Sequence, residues 1–216
     1  MSYYPKNKVL KRKPILFVHI PKTAGTSMRR WMKDAYGKIH SFIHAPISNE
    51  NLKNLNMPSF TVIRNPYDRA FSAFKYRRQI LEDRADNPIF EDELFALKQG
   101  FEPWVVNYFD KPWTVFDEGL EIYGPRGMHD LAIDLPQADW ITINDKIKVD
   151  IILRYESIDQ DLLQVQSLIN YHKKLPKKNI STFHTSQNYR DFYTDKSKKI
   201  IEKLYEKDLD LFHYIF

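Results

Sequence analysis

The sequence predicts an α/β fold, a central parallel sheet flanked by helices. Two stretches carry that reading. Twice the chain runs through a short apolar segment, makes a tight turn and enters an amphipathic helix: ILFVHI then GTSMRRWMKDAY, and FTVIRN then PYDRAFSAF. A short apolar run bounded by turn residues is the pattern of a strand buried on both faces. Strand, turn and helix in that order open the nucleotide-binding type of α/β fold.

Each element follows from local pattern. ILFVHI (15–20) lies between Pro14 and Pro21 and reads as a buried strand. Met28, Trp31, Met32 and Ala35 then recur at i, i+3, i+4 and i+7, an amphipathic helix that Gly37 stops. Residues 38–59 read as loop, with a short helical piece near Glu50–Leu55. FTVIRN (60–65) is the second strand, Asn65 caps the next helix and Pro66 occupies its first position. Tyr67, Ala70, Phe71 and Phe74 form the stripe of that helix. Short helices are expected near 89–99 and 103–109, inside an aromatic and irregular region spanning 94–139. DWITI (139–143) and VDIILRYE (149–156) read as a strand pair around the turn NDK. Ile158, Leu162, Val165 and Ile169 mark a further helix, and a last one begins near Thr194 or Asp195 with Ile201, Leu204 and Tyr205 inward.

Bulk properties narrow the function. A length of 216 residues with 43% hydrophobic content suits one domain, 1–216, with a basic tail at 1–13. The absence of cysteine excludes disulfides, thiolate metal sites and cysteine nucleophiles, and fits a reducing compartment. The N-terminus lacks the apolar core of a signal peptide, and no stretch reaches the roughly 20 apolar residues of a membrane span. A cytoplasmic location is expected. The net charge of +5 suits an anionic partner. No nucleic-acid partner is expected.

The chemistry lies in the two turns. PKTAGTS supplies backbone N–H groups at a helix N-terminus, the positive end of the helix dipole and the hydroxyls of Thr23, Thr26 and Ser27. Gly25 allows the backbone to curl closely round an oxyanion, with Ala24 beside it, and Lys22 adds a full charge at the mouth. A magnesium–nucleotide loop would read GxxxxGK[ST], with the lysine after the glycine; here the lysine precedes it. In the second turn Arg64 ends a strand, where α/β folds bind ligands, and Arg69 and Ser72 share a helix face. Arg64 suits a bidentate grip on phosphate, and an ion pair with Asp68 is the plainer alternative. Together the turns suit one ligand with two separated anionic groups.

PKTAGTS resembles the 5′-phosphosulfate loop of sulfotransferases. RNPYDRAFSAF resembles their 3′-phosphate motif, with Arg64 and Ser72 at its spacing. The resemblance extends to VDIILRYESIDQD and to NYRDFYTDKSKKIIEKLYEKDLDLFHYIF, so it runs from about residue 15 to the end. It is nearest to the carbohydrate branch that includes heparan sulfate 2-O-sulfotransferase and many bacterial relatives. It implies the P-loop-containing, nucleotide-hydrolase-like sulfotransferase fold. It implies the donor 3′-phosphoadenosine 5′-phosphosulfate (PAPS), a hydroxyl acceptor, most readily a glycan, and no metal. Carried over, Lys22, Thr23, Ala24, Gly25, Thr26 and Ser27 hold the 5′ end of the donor, and Arg64 and Ser72 hold its 3′-phosphate. Residues 182–190 fall where the family closes a loop over the nucleotide.

Lys22 beside the bridging oxygen would stabilise the charge that appears there. The acceptor hydroxyl needs a base, and histidine suits neutral pH. His44 stands twenty residues ahead of Arg64, where the family places its catalytic histidine, and His40 is its rival. His19 is expected at a strand end near the donor. Basic runs at Lys6–Lys13, Lys75–Arg78 and Lys173–Lys178 would guide an acidic glycan or form solvated faces. Trp104 and Trp113 would stack on sugar or join the core. Two other functions are compatible with the residues: a kinase or NTPase with a degenerate loop, and a non-catalytic nucleotide- or polyanion-binding module.

Overall fold

The computed structural model describes residues 12–37, 42–43, 45–48, 57–82, 91–109, 133–176 and 188–216. Its main sheet is wholly parallel, with strands in the order β2-β1-β3-β6: β1 is Leu16–Val18, β2 Phe42–Ile43, β3 Ser59–Ile63 and β6 Ile151–Arg154. From β1 the chain crosses to β2 on one side, while β3 lies on the other. The crevice between the carboxyl ends of β1 and β3 is therefore the switch point where α/β sheets bind ligands. Both sequence motifs leave the sheet at that crevice.

The apolar strands are buried on both faces. Along β1 and the residue before it, Ile15 and Phe17 face one layer while Leu16 and Val18 face the other. The first layer is α1 (Gly25–Tyr36) and α6 (Ile158–Ile169), and the foreseen Met28, Trp31, Met32 and Ala35 are all buried in it. Gly37 ends α1 in the left-handed region, at φ 76°. The second layer is α5 (Gln137–Ile141) and α8 (Glu206–Phe212), contributing Trp140, Ile141 and Phe212.

A separate aromatic cluster forms among α2 (Pro66–Glu82), α3 (Glu91–Gln99), α4 (Phe101–Phe109) and α7 (Asp195–Leu204). Phe71 stacks on Phe192 at 4.5 Å, and Phe101 meets Tyr193 edge-on at 4.7 Å. Trp104 is fully buried here, which assigns it to the core and not to a sugar platform. The run Lys75–Arg78 is likewise no solvated face, because Arg77 is buried and Lys75 half-buried. No helix of the described residues is long and apolar enough to cross a membrane.

Two expectations are corrected. DWITI does not pair with VDIILRYE. Its first half is the helix α5, and Thr142–Ile143 (β4) forms a small antiparallel hairpin with Lys146–Ile147 (β5). The turn between them places Asn144 and Asp145 at φ 51° and 57°, the left-handed pair that suits a two-residue hairpin. Ile151–Arg154 instead joins the main sheet beside β3. The C-terminal helix also breaks at Tyr205 into α7 and α8. The short helix foreseen near Glu50–Leu55 lies outside the described residues, as does Trp113.

Buried Asp208 explains why α5 is a helix. Its carboxylate accepts the backbone N–H of Gln137 at 2.8 Å and of Ala138 at 2.7 Å, and the Gln137 side-chain amide at 3.1 Å. Burial raises this carboxyl above its ordinary value of 3.8, against the opposing pull of the Arg69 charge and of these donors. The folded form thus holds its proton to higher pH than the unfolded chain. The proton-linked part of Asp208's contribution to stability is full below pH 3.8 and is lost as pH rises through the raised value, while its carboxylate goes on accepting the α5 donors. Asp208→Ala leaves the α5 donors without their acceptor and removes the carboxylate that the Arg69 charge attracts. It is expected to cost about 3 kcal/mol in urea unfolding and to flatten that part of the stability–pH curve. An unchanged urea midpoint and pH profile would contradict this role.

Candidate functional site

The first turn, residues 19–24 between β1 and α1, folds around its own carbonyl groups. Thr23 Oγ1 donates to the Ile20 carbonyl at 2.8 Å, Arg69 Nε to that of Pro21 at 3.1 Å, and Arg64 Nη1 to that of Lys22 at 3.1 Å. Three successive acceptors are thereby bound. Lys22 and Ala24 both sit in the left-handed region, at φ 68° and 69°, a conformation that costs a non-glycine residue about 1 kcal/mol or more. Backbone that alternates in this way turns successive N–H groups inward to form an anion-binding nest. Met28 makes the first helical bond, to the Ala24 carbonyl at 3.0 Å. The N–H groups of Gly25, Thr26 and Ser27 belong to the first turn of α1, the part of a helix that serves as an anion site.

The part played by each foreseen residue becomes specific. Thr23 is fully buried and its hydroxyl donates within the turn. Ser27 is buried and Thr26 exposed. Gly25 owes its identity to close approach: a Cβ there would lie 1.6 Å from Nε2 of His19. The His19 ring stacks on Phe17 at 5.6 Å and caps the turn from the strand side.

The second turn, residues 64–65 between β3 and α2, is held from three directions. Arg64 Nε meets Asp68 at 2.7 Å, as the plainer reading of the sequence had it. The same guanidinium also reaches the Lys22 carbonyl and lies 4.1 Å from the centre of the Tyr155 ring. Gln137 fixes the Arg64 backbone with two bonds of 2.8 Å: its Oε1 accepts the Arg64 N–H and its Nε2 donates to the Arg64 carbonyl. Asn65 caps α2 by accepting the Tyr67 N–H at 3.1 Å, and its own N–H donates to Glu156 at 2.6 Å. Ser72 lies two helical turns on, half-buried. Lys75 follows one turn later, its ammonium 5.0 Å from the Phe71 ring. Burial lowers its pKa, the Arg64 charge lowers it further, and Asp68 partly offsets both.

The structure thus brings Lys22 to Ser27 together with Arg64 at the carboxyl ends of β1 and β3, joined by the hydrogen bond from Arg64 to the Lys22 carbonyl, with α2 carrying Ser72 away from it. His40 and His44 lie outside the described residues. Ile43, the described residue directly before His44, pairs with Val18, close to the first turn. Two supporting residues escaped the sequence reading: Gln137 and Asp208. Neither belongs to a recognisable motif, and they work from 73 positions downstream of Arg64 and 71 downstream of Gln137.

Gly25→Ala is expected to cost about 2 kcal/mol in chemical denaturation, since the methyl must displace the stacked imidazole. In a His19→Ala background the same change should cost less than about 0.5 kcal/mol. Equal costs in both backgrounds would show that the ring is not what demands glycine.

Residues 6–215 match the sequence profile described as the Sulfotransferase family. No curated protein matches the chain. Among solved structures, mouse sulfotransferase SULT7A1 complexed with PAP is similar, at 13% identity over 91% of this chain and 84% of that one, with a TM-score of 0.47. A likeness that slight carries neither ligand nor activity across. The profile match spans nearly the whole chain, and it includes both turns: the protein belongs to the sulfotransferase family.

Proposed function

We propose that this protein transfers a sulfuryl group from PAPS to a hydroxyl, and that the acceptor is a carbohydrate. The observation that carries the reading is the first turn. Its Ile20, Pro21 and Lys22 carbonyls are bound, its Lys22 and Ala24 are left-handed, and Arg64 reaches it from the second turn. Such a turn presents donors to an oxyanion and presents few acceptors. One ligand with anionic groups at both ends fits the pair of turns.

In this reading the N–H groups of Thr23 to Ser27 hold the 5′ end of the donor, and Arg64 and Ser72 hold the 3′-phosphate. The acceptor oxygen attacks sulfur in line with the bridging oxygen. The bond from sulfur to that oxygen breaks as the new one forms. Lys22 stabilises the phosphate charge left behind. His44 takes the proton of the acceptor hydroxyl. The carbohydrate acceptor rests on the resemblance of the motifs to the carbohydrate branch.

Adenosine 3′,5′-bisphosphate at a hundredfold excess over Kd should raise Tm by about 4 °C or more, and ATP with magnesium should do far less. Stabilisation by ATP with magnesium alone would sink the donor assignment. With PAPS and a glycan acceptor, Lys22→Ala should lower kcat about 10²-fold or more. His44→Ala should lower it about 10²-fold near neutral pH, and transfer at the wild-type rate would remove His44 from the mechanism.

A further inference from the structure

Lys22 is gripped at both ends by the second motif. Its carbonyl accepts from Arg64 Nη1 at 3.1 Å, and its ammonium lies 3.6 Å from the centre of the Tyr76 ring. Tyr76 is on α2, four residues after Ser72, so the two side chains share a helix face. The Lys22 side chain therefore leaves a left-handed backbone in the first turn and crosses the crevice. It comes to rest on the helix that carries the other anion-binding residues.

We propose that Tyr76 is a positioning residue for Lys22: the face of its ring holds the ammonium across the crevice, beside Ser72. The inference rests on reading Lys22 as the lysine that faces the donor. The physics suits that task. An aromatic face attracts a cation through its quadrupole and leaves it charged. It removes part of the ammonium's hydration shell, so less water has to be displaced when an anion arrives. It also restricts a long side chain that otherwise explores many rotamers. Asp68, the carboxylate one turn before Ser72 on this helix, is bonded to Arg64 at 2.7 Å. The attraction of a ring yields to a phosphate or sulfate oxygen, whose full charge binds the ammonium more strongly. Tyr76 thus holds Lys22 near its working position and lets go of it when the donor binds.

The test compares Tyr76→Leu and Tyr76→Phe with wild type. The first readout needs no donor: the rate of Lys22 acylation by acetic anhydride, followed by peptide mass spectrometry. Tyr76→Leu should acylate Lys22 about threefold faster or more, and Tyr76→Phe, which keeps the ring, at the wild-type rate. The second readout is turnover with PAPS. Tyr76→Leu should lower kcat about tenfold while changing Kd for adenosine 3′,5′-bisphosphate by less than about threefold, and Tyr76→Phe should restore kcat. Wild-type acylation of Lys22 in Tyr76→Leu would overturn the proposal, as would Tyr76→Phe behaving like Tyr76→Leu. If wild type neither binds the bisphosphate nor transfers sulfate, the donor reading fails, and the acylation contrast still decides whether Tyr76 holds Lys22.

Discussion

Arg64 and Arg69 bind two successive carbonyl oxygens of the first turn, those of Lys22 and Pro21. An anion site made of backbone needs its N–H groups inward, and a peptide cannot aim N–H and C=O independently. Fixing the Pro21 and Lys22 carbonyls fixes the peptide planes, and with them the directions of the N–H groups. Arg64 belongs to the second strand–helix turn and Arg69 to the helix that follows it. The two halves of the site are consequently one object, and neither can take its shape alone.

That grip depends on a polar layer reaching to the end of the chain. Arg69 is fully buried and also donates to the Leu135 carbonyl at 3.0 Å. Gln137 holds the Arg64 backbone, and Asp208 holds Gln137. The Asn65 side chain donates to the Ile215 carbonyl at 2.9 Å, and Arg154 to that of Phe212 at 2.6 Å. Buried polar groups are costly unless bonded, so each member of the layer constrains the next. The two left-handed residues, Lys22 and Ala24, persist because this surrounding leaves them no alternative.

The sequence made the strands, most helices and both turns legible, because their signals are local. Met28, Trp31, Met32 and Ala35 repeat at the helical period, and Asn65-Pro66 announces a helix start. Arg64 and Lys22 stood out as candidates for the same reason. What was not legible is non-local. DWITI has strand-like composition, yet it starts as a helix because Asp208, far along the chain, binds the N–H groups of Gln137 and Ala138, which open that helix just before it. The need for glycine at position 25 was visible, but its cause, the His19 ring, was not, since ring placement depends on tertiary packing. The basic run at Lys75–Arg78 looked like a solvated face and is partly core. Charge alone does not reveal which side of a helix is covered.

The most direct test of the account is an amide NMR titration of the whole protein with adenosine 3′,5′-bisphosphate. The account predicts that the N–H resonances of Thr23 to Ser27 move together, downfield, with one shared Kd, and that the backbone N–H of Arg64 moves with them. Saturable binding that leaves Thr23 to Ser27 unmoved, and shifts other amides instead, would contradict it.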